Sequence, residues 1–342
     1  MACNKVYHLS RLPLHWEGDH IKMSKNMRVS AIQMNCIPGV IQKNLDHAEE
    51  LIRQAADKGA ELILLPELMP SGYIATEKIW ESAESIEGDS VKWLLKTASR
   101  FKVYLGFSFF EAEKEDFYNS FVLSSPQGRL LGRVRKNPPA SIEAYFYKAG
   151  NDPHVIETEL GRIGVGICYE NLLYDQMCFL YDEDIDLLLS PAAAGRPKPF
   201  IPGDIKRFEK MLIDGRSVTS QTLGVPVIMA NRVGPLETDL PGRLPYLKSS
   251  FPGLSCIVDS DGTVKESMGE EEGVIVADIS VGGKKKRKEV PKRFGRIWGI
   301  PVPWYAFIWP VTQRMGEKSY ATNPRRKERA LSICAESENI YP

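Results

Sequence analysis

The sequence predicts an α/β domain in which helices cover two β-sheets. Helical and strand-like patterns alternate in the outer parts of the chain, while its middle holds consecutive strands. That combination favours two sheets with helices packed on them. The 342 residues are enough to bury a sizeable core, and we find no internal repeat and no linker that would divide it.

The first part of the chain begins with a strand predicted at 28–34. The helix that follows has apolar residues at three- and four-residue spacing, and Gly59 stands where it should end. These apolar residues are Leu45, Ala48, Leu51, Ile52, Ala55 and Ala56. A short apolar run at 61–65 is typical of a buried strand. Similar patterns predict a helix at 90–101 and a strand at 102–110.

Turn signals divide the rest of the domain into short elements. Ser-Pro-Gln-Gly separates strands predicted at 118–123 and 130–134, and Gly161 lies between strands at 155–158 and 162–167. After Cys168 the pattern predicts a helix, a strand at 185–189, a helix at 205–223 and a strand at 225–230. Asp-Ser-Asp-Gly then lies between strands at 254–258 and 274–279.

The two ends of the chain differ from its middle. Residues 1–26 are interpreted as an N-terminal extension, 27–281 as the domain, and 282–342 as a basic, aromatic-rich C-terminal extension that adds no second core. His8, His15 and His20 in the first extension have no acidic or cysteine partners at metal-ligand spacing. We therefore expect these histidines to be exposed to solvent.

The C-terminal extension joins a basic run at 284–288 to a group of aromatic side chains. One interpretation buries these rings against the subunit or a neighbouring subunit. A second is peripheral membrane contact through residues 284–320, with rings at headgroup level and lysines on anionic lipid. A third is a nuclear or nucleic-acid signal. The aromatic residues are Phe294, Trp298, Trp304, Tyr305, Phe307 and Trp309.

Composition excludes several classes of function. Lys plus Arg and Asp plus Glu both number 44, so the overall charge gives no reason to expect nucleic-acid binding. The six cysteines form no CxxC pair, which argues against a zinc site and a disulfide framework and suits a reducing cytoplasm. No apolar run is typical of a secretory signal or a transmembrane helix. We expect a cytoplasmic protein.

Four side chains could perform chemistry. Cys168 follows a strand-like run and precedes a predicted helix, a placement typical of hydrolase nucleophiles. A helix N-terminus and a nearby cation would lower its pKa and supply a thiolate. Glu67 and Lys136 also follow strands, at the sheet edge where α/β active sites gather. Taken singly, the cysteine could be structural, and Glu67, Lys136 and Glu143 could be ordinary surface charges.

Together the segments around these residues resemble the signature segments of the nitrilase superfamily. The segments are LLPELMPSGY around Glu67, RKNPPASIEAYFYKAG around Lys136 and Glu143, and GVGICYEN around Cys168, separated by about 70 and about 30 residues. The resemblance continues through MANRVG at 229–234 and FPGLS at 251–255 and covers roughly residues 28–280.

The resemblance implies a four-layer α-β-β-α sandwich, paired across an oligomer interface, with no metal and no organic cofactor. It implies that Glu67 is the general base, Lys136 the cation that stabilises the oxyanion, and Cys168 the nucleophile. Glu143 would orient the lysine and position the substrate. Tyr73, Tyr169, Ala192 and Asn231 are the expected substrate-binding residues, and the backbone N–H of Tyr169 is expected to assist Lys136 at the oxyanion.

The sequence departs from the superfamily pattern at two positions. Tyr174 stands where many relatives have a proline after the cysteine, and Pro138 stands where many have a histidine after the lysine. Ser141-Ile142-Glu143 is closer to aliphatic amidases, whereas the acid and asparagine of CYEN are closer to nitrilases. The small residues at 192–195 could leave room for a bulky substrate or could reflect close packing.

The expected function is a cysteine-dependent amidase that converts an amide to a carboxylic acid and ammonia or an amine through a thioester. A nitrilase with the same residues is an alternative, and so is acyl transfer from the thioester to an amine. A non-catalytic scaffold is a fourth possibility, which the complete set of Glu67, Lys136 and Cys168 argues against. Small-molecule amides or nitriles and further copies of the chain are the expected partners.

Overall fold

Two six-stranded sheets form the centre of the computed structural model, which describes residues 25–196, 202–241, 246–282, 293–298 and 303–338. The helices are α1 (Ile41–Asp57), α2 (Asp89–Phe101), α3 (Tyr174–Asp182), α4 (Asp204–Leu223), α5 (Trp309–Thr322) and α6 (Pro324–Glu338). The first eight strands are β1 (Lys25–Gln33), β2 (Leu62–Leu64), β3 (Tyr104–Glu113), β4 (Asp116–Ser124), β5 (Leu130–Arg135), β6 (Val155–Thr158), β7 (Gly161–Val165) and β8 (Leu187–Pro191). The remaining strands are β9 (Val227–Ala230), β10 (Val233–Thr238), β11 (Leu247–Pro252), β12 (Cys256–Val258), β13 (Val264–Ser267), β14 (Gly273–Val281), β15 (Arg293–Phe294) and β16 (Ile297–Trp298).

The two sheets share one design. The strand order is β14-β1-β2-β3-β4-β5 in the first sheet and β13-β12-β9-β8-β7-β6 in the second. Three neighbouring strands are parallel in each, β1, β2 and β3 in the first and β7, β8 and β9 in the second. Antiparallel strands extend both sheets on either side. Because the carboxyl ends of parallel strands meet at one edge, each sheet collects the residues that follow them.

Three apolar layers hold the sheets and helices together. One layer lies between the two sheets and contains Val29, Phe121 and Ile228. A second packs α1 and α2 on the first sheet, where Leu51 and Leu94 are buried. A third packs α3 and α4 on the second sheet. The result is the four-layer α-β-β-α sandwich that the resemblance implied.

Most elements lie within a few residues of their predicted positions, and the differences have local causes. The strand predicted from 102 begins at Tyr104 because Lys102 adopts a left-handed conformation, with φ +56°, and ends α2. The strand predicted from 254 begins at Cys256, after Leu254 with φ +62°. The hairpin β10–β11 and strand β13 were not predicted, since their sequences lack a clear apolar alternation.

The C-terminal helices α5 and α6 pack against the rest of the chain. On the inner side of α5 and α6, Tyr320, Ala330 and Ile333 join Trp80 and Phe117 in one apolar cluster. The Tyr320 hydroxyl accepts a hydrogen bond from the Phe117 N–H at 2.8 Å. The domain boundaries given above stay a prediction.

The aromatic residues of this segment divide between inside and outside. Trp298 is fully buried, and its Nε1 donates to the Asn171 carbonyl at 2.8 Å. Trp309 packs edge-to-face on Tyr169, whereas Phe294 and Phe307 are exposed. The side chains of Trp304 and Tyr305, the basic run at 284–288 and the three histidines of the N-terminal extension lie outside the described part of the chain. None of the described helices is long and apolar enough to cross a membrane.

The missing proline at position 174 has a structural explanation in the same segment. Tyr174 is the first residue of α3, and its backbone N–H donates to the Arg296 carbonyl at 2.9 Å. Leu173 forms a β-bridge with Ile297 beside it. A proline has no N–H and could not form this bond. The departure from the superfamily pattern therefore coincides with the place where the C-terminal segment docks.

Candidate active site

The four side chains singled out in the sequence converge at the carboxyl edge of the two sheets. Glu67 follows β2, Lys136 directly follows β5, and Cys168 follows β7. Glu143 lies in a 3-10 turn, Ser141–Tyr145, that follows the lysine. The first two residues come from one sheet and the cysteine from the other, so the site spans the gap between the sheets.

Lys136 is shared by two carboxylates. Its Nζ lies 2.7 Å from Oε1 of Glu67 and 2.7 Å from Oε2 of Glu143. The side chains of Lys136 and Glu67 are fully buried, and that of Glu143 is 7% exposed. In such a position each charge depends on the others, because solvent does not screen it.

Glu143 is held by neighbours on both sides. Oε2 accepts the Ala140 backbone N–H at 2.8 Å and the hydroxyl of Tyr147. Oε1 lies 3.4 Å from the Tyr73 hydroxyl. The carboxylate therefore fixes both its own turn and the lysine, which is a positioning arrangement.

Glu67 is fixed by two further donors. Asn119 Nδ2 donates to Oε1 at 2.7 Å, and the Ala193 backbone N–H donates to Oε2 at 2.8 Å. Asn119 lies within β4, and its side chain is fully buried. Sequence reasoning missed this residue, because a single asparagine in a strand gives no signal of its own.

Cys168 occupies a sharp turn at the end of its strand. Its φ of +52° is a left-handed conformation, which is uncommon for a residue with a side chain. The 3-10 turn Cys168–Leu172 starts here, and its hydrogen bonds begin with Glu170 N–H to Ile167 O at 3.2 Å. The N–H groups of Cys168 and Tyr169 precede that bond, so the turn itself provides no acceptor for these two donors.

Glu170 connects the cysteine turn to the lysine loop. Its buried carboxylate accepts the Ile167 N–H at 2.6 Å, the His154 Nε2 at 2.8 Å and the N–H of Asn137. Asn137 directly follows Lys136, so one carboxylate ties the backbone of the nucleophile to that of the cation. In the sequence, Glu170 was noted only because the acid of CYEN resembles nitrilases, and its role in connecting the two loops was missed.

Burial and charge set the protonation of the site. Burial raises the pKa of the Cys168 thiol, Glu67 raises it further, and Lys136 offsets this only in part. Cys168 is therefore a thiol near neutral pH, and the expectation of a lowered pKa is wrong. Burial also raises the pKa of Glu67, again with partial relief from Lys136. Burial lowers the pKa of Lys136, but Glu143 and Glu67 outweigh it and raise that pKa well above its usual value.

The four residues expected to bind substrate have different surroundings. The Tyr73 hydroxyl reaches Glu143, and its ring meets Phe251 edge-on at 5.9 Å. The ring of Tyr169 is buried against Trp309. Ala192 is buried, with its N–H bonded to the Ala230 carbonyl at 2.8 Å.

Asn231 uses its amide on the backbone. Its Oδ1 accepts the Ala194 N–H at 2.9 Å, and its Nδ2 donates to the Gly253 carbonyl at 2.7 Å. These bonds indicate that Asn231 positions the loops beside the site. Direct binding of substrate by Asn231, Tyr73, Tyr169 and Ala192 stays a prediction.

The small residues at 192–195 lie under the β10–β11 hairpin. A side chain at Gly195 would clash with Leu236, and its Cβ would lie 3.2 Å from the ring of Phe251. Ala193, Leu236 and Phe251 form one apolar cluster, with Tyr73 packed against it. At Gly195 the small size is therefore needed for close packing, and the hairpin gives the site an apolar wall.

No group of three His, Cys, Asp or Glu side chains within the described residues could hold a metal ion. The arrangement instead combines a thiol, a buried carboxylate with a raised pKa and a buried ammonium. These groups can transfer a proton, attack a polarised carbon and stabilise the negative charge that develops.

The chain is similar in sequence to several known proteins. The family model described as carbon-nitrogen hydrolase matches residues 28–286. An omega-amidase of Xenopus tropicalis is 31% identical over 265 residues, which cover 74% of this chain and 88% of that protein. Nitrilase 1 of Arabidopsis thaliana is 32% identical over 192 residues, which cover 50% of this chain and 56% of the nitrilase. The chain therefore spans only about half the length of that relative.

A solved structure shows the same fold. The carbon-nitrogen hydrolase from Helicobacter pylori G27 superposes with a TM-score of 0.69 at 23% sequence identity. The superposition covers 75% of this chain and 89% of that one. At this level of identity the likeness concerns the fold alone.

Proposed function

The chain belongs to the carbon-nitrogen hydrolase family, and we propose that it is an amidase that uses Cys168 as nucleophile. The observation that carries the proposal is the buried Lys136 ammonium, 2.7 Å from both Glu67 and Glu143 and beside the cysteine turn. The omega-amidase relative, matched over 88% of its length, supports amide hydrolysis.

The proposed reaction begins with proton transfer from the Cys168 thiol to Glu67. Because burial and the neighbouring carboxylate raise the thiol pKa, attack needs a base, and the raised pKa of Glu67 suits it to hold that proton. The sulfur then attacks the amide carbon. The oxyanion that forms is stabilised by the Lys136 ammonium and the Tyr169 backbone N–H, and one such donor contributes roughly 10²–10³ in rate.

The tetrahedral intermediate collapses when Glu67 returns the proton to the leaving nitrogen. The C–N bond breaks, ammonia or an amine leaves, and an acyl thioester remains on Cys168. Glu67 then takes a proton from water, the hydroxide attacks the thioester, and the C–S bond breaks. The products are a carboxylic acid and the free thiol, which regains its proton from Glu67.

The apolar wall formed by Leu236, Phe251 and Ala193 supports a substrate with an apolar acyl group. Each methylene buried against such a wall adds about 0.8 kcal/mol to binding. We therefore propose that kcat/KM rises with chain length over short aliphatic amides.

A nitrilase is the second candidate, favoured by the 32% identity with the Arabidopsis enzyme. Acyl transfer is a third outcome, in which an amine intercepts the thioester instead of water. The complete triad and the family membership argue against a non-catalytic scaffold. Assembly into homo-oligomers and a cytoplasmic location remain predictions, which light scattering and cell fractionation would test.

Ammonia release from a panel of short- and long-chain amides, carbamoyl compounds and nitriles tests the proposal. We expect turnover of amides, none in Cys168→Ala, and normal turnover in Cys334→Ala, a change at another partly exposed cysteine. Hydroxamate formed in the presence of hydroxylamine would identify acyl transfer. Ammonia release by Cys168→Ala equal to that of the wild type would refute the role of this cysteine.

A further inference from the structure

Helix α5 has an inner and an outer face. On the inner face Gln313, Gly316 and Tyr320 are buried against the domain. On the outer face Val311 and Met315 are each 58% exposed and lie one turn apart.

An aromatic pair extends this face. The rings of Phe294 and Phe307 meet edge-on at 5.8 Å, yet Phe294 is 63% exposed and Phe307 42% exposed. Ile308, 49% exposed, connects the pair to the helix. We call this surface the outer patch; it consists of Phe294, Phe307, Ile308, Val311 and Met315.

Cations border the outer patch. Arg314 and Lys318 alternate with Val311 and Met315 at three- and four-residue spacing on the exposed side of α5. Arg293 and Arg296 are exposed beside the aromatic pair. Within the described residues, no carboxylate lies within ion-pair distance of any of these four side chains.

Helix α6 provides the contrast. Its cations each meet an acid of the domain, so they dock the helix on its own subunit. The pairs are Arg325 with Glu77 at 2.8 Å, Arg326 with Asp116, Lys327 with Glu115 at 2.6 Å, and Arg329 with Glu81 at 3.0 Å. Around the outer patch, Arg293 donates to the Gly295 carbonyl and Arg296 to Gln313, whereas Arg314 and Lys318 are exposed without an acid of the described residues at ion-pair distance.

We propose that the outer patch docks on an anionic lipid surface. Apolar side chains and a Phe pair enter the interface, while Arg314 and Lys318 remain at the level of the phosphate and carboxylate headgroups. The contact that we propose is peripheral, with side chains entering the interface and the helix lying along it. A two-fold contact through this patch would bring the cations of both copies near one another, whereas an anionic lipid surface supplies the opposite charge.

The charge contribution predicts the size of the effect. Each cation near an anionic membrane adds about fivefold to the partition coefficient at physiological salt. Arg314→Glu with Lys318→Glu removes two cations, so vesicle binding should fall at least about 30-fold. Val311→Ser with Met315→Ser leaves the charges in place and removes the apolar contact with the lipid chains, so vesicle binding should again be too weak for flotation.

Flotation of the full chain with vesicles tests the proposal. We expect the wild type to float with vesicles of phosphatidylcholine and phosphatidylserine, to stay behind with phosphatidylcholine alone, and to be released by 1 M salt, at a screening length of about 3 Å. The double variants should stay behind. Matched controls are Val264→Ser, also an exposed valine, and Lys43→Glu with Lys96→Glu on α1 and α2; both should float like the wild type.

For each variant, circular dichroism measures whether the chain is folded and light scattering measures its oligomeric state, so that unfolding and changed assembly are detected separately. Absence of flotation in the folded wild type would overturn the proposal, and so would variants that float unchanged. If Val311→Ser with Met315→Ser instead converts an oligomer to a monomer and no form floats, the outer patch is an interface between copies. Hydrolase activity is not part of this test, so the proposed function can fail without affecting it.

Discussion

Replacing Lys136 with methionine removes the ammonium that two buried carboxylates share. Its Nζ lies 2.7 Å from Oε1 of Glu67 and 2.7 Å from Oε2 of Glu143, and its removal would leave both buried carboxylates without their shared cation. Breaking a buried ion pair from one side costs about 3–5 kcal/mol. We expect Lys136→Met to lower the free energy of unfolding at pH 8 by about 4 kcal/mol, measured by urea denaturation.

The loss should depend on pH in a known direction. Burial already raises the pKa of Glu67, and removing Lys136 removes a group that lowers it. A carboxyl whose pKa is raised on folding contributes stability that is complete below its unfolded pKa, about 4.5, and is lost as the pH rises through the folded pKa. Lys136→Met should therefore approach the wild type in stability at pH 5 and differ most at pH 8.

Two further variants separate this effect from others. Lys148→Met removes a lysine that is 54% exposed and lies 3.0 Å from Asp116, and it should change stability by less than about 1 kcal/mol. Lys136→Met combined with Glu143→Gln should recover most of the stability but no activity, since the cation at the oxyanion is still missing. A loss below about 1 kcal/mol for Lys136→Met, equal at pH 5 and pH 8, would refute the reasoning.

Three other predictions follow from contacts around the site. Gly316→Ala would place a Cβ 2.8 Å from the backbone of Ala144 and Tyr145, in the turn that holds Glu143, so we expect kcat to fall by about tenfold or more. The neighbouring Met315→Ala, on the exposed side of the helix, should keep wild-type kcat, and equal kcat in both variants would contradict the prediction. Burial raises the pKa of Cys168, so iodoacetamide should alkylate this thiol slowly at pH 7 and progressively faster above pH 9. Peptide mass spectrometry would follow the alkylation, and a rate that has already reached its plateau at pH 7 would contradict the prediction. Burial lowers the pKa of His154, but Glu170 outweighs it and raises that pKa, so the stability from this pair is complete below about pH 6.5 and is lost as the pH rises. His154→Gln should remove this pH dependence of Tm between pH 6 and pH 8, and an unchanged profile would argue against the pair.

Local patterns in the sequence predicted two sheets covered by helices, whereas the four central side chains were singled out together only by the family resemblance. Apolar runs mark the buried strands, and polar residues directly after them mark the edge where the sheets gather Glu67, Lys136 and Cys168. The family resemblance then gave these residues roles. The structure agrees on their proximity, since it brings Lys136 within hydrogen-bonding distance of both glutamates.

The supporting residues could not be predicted in this way. Asn119 and His154 contribute through contacts with partners distant in sequence, and neither lies in a pattern that distinguishes it from a structural residue. The thiol pKa of Cys168 was predicted in the wrong direction, because the sequence reveals the nearby cation but not the degree of burial. The docking of Trp298 also depends on long-range packing.

The bridge made by Glu170 has a consequence for recombining this protein with its relatives. One carboxylate binds the Ile167 N–H before the nucleophile and the Asn137 N–H after the cation. A chimaera with a crossover between 137 and 167 would combine a loop and a turn that were not selected to share this acid. Residues 135–171 should therefore be exchanged as one block. Crossovers outside this block keep the turn of the nucleophile and the loop of the cation from the same parent protein.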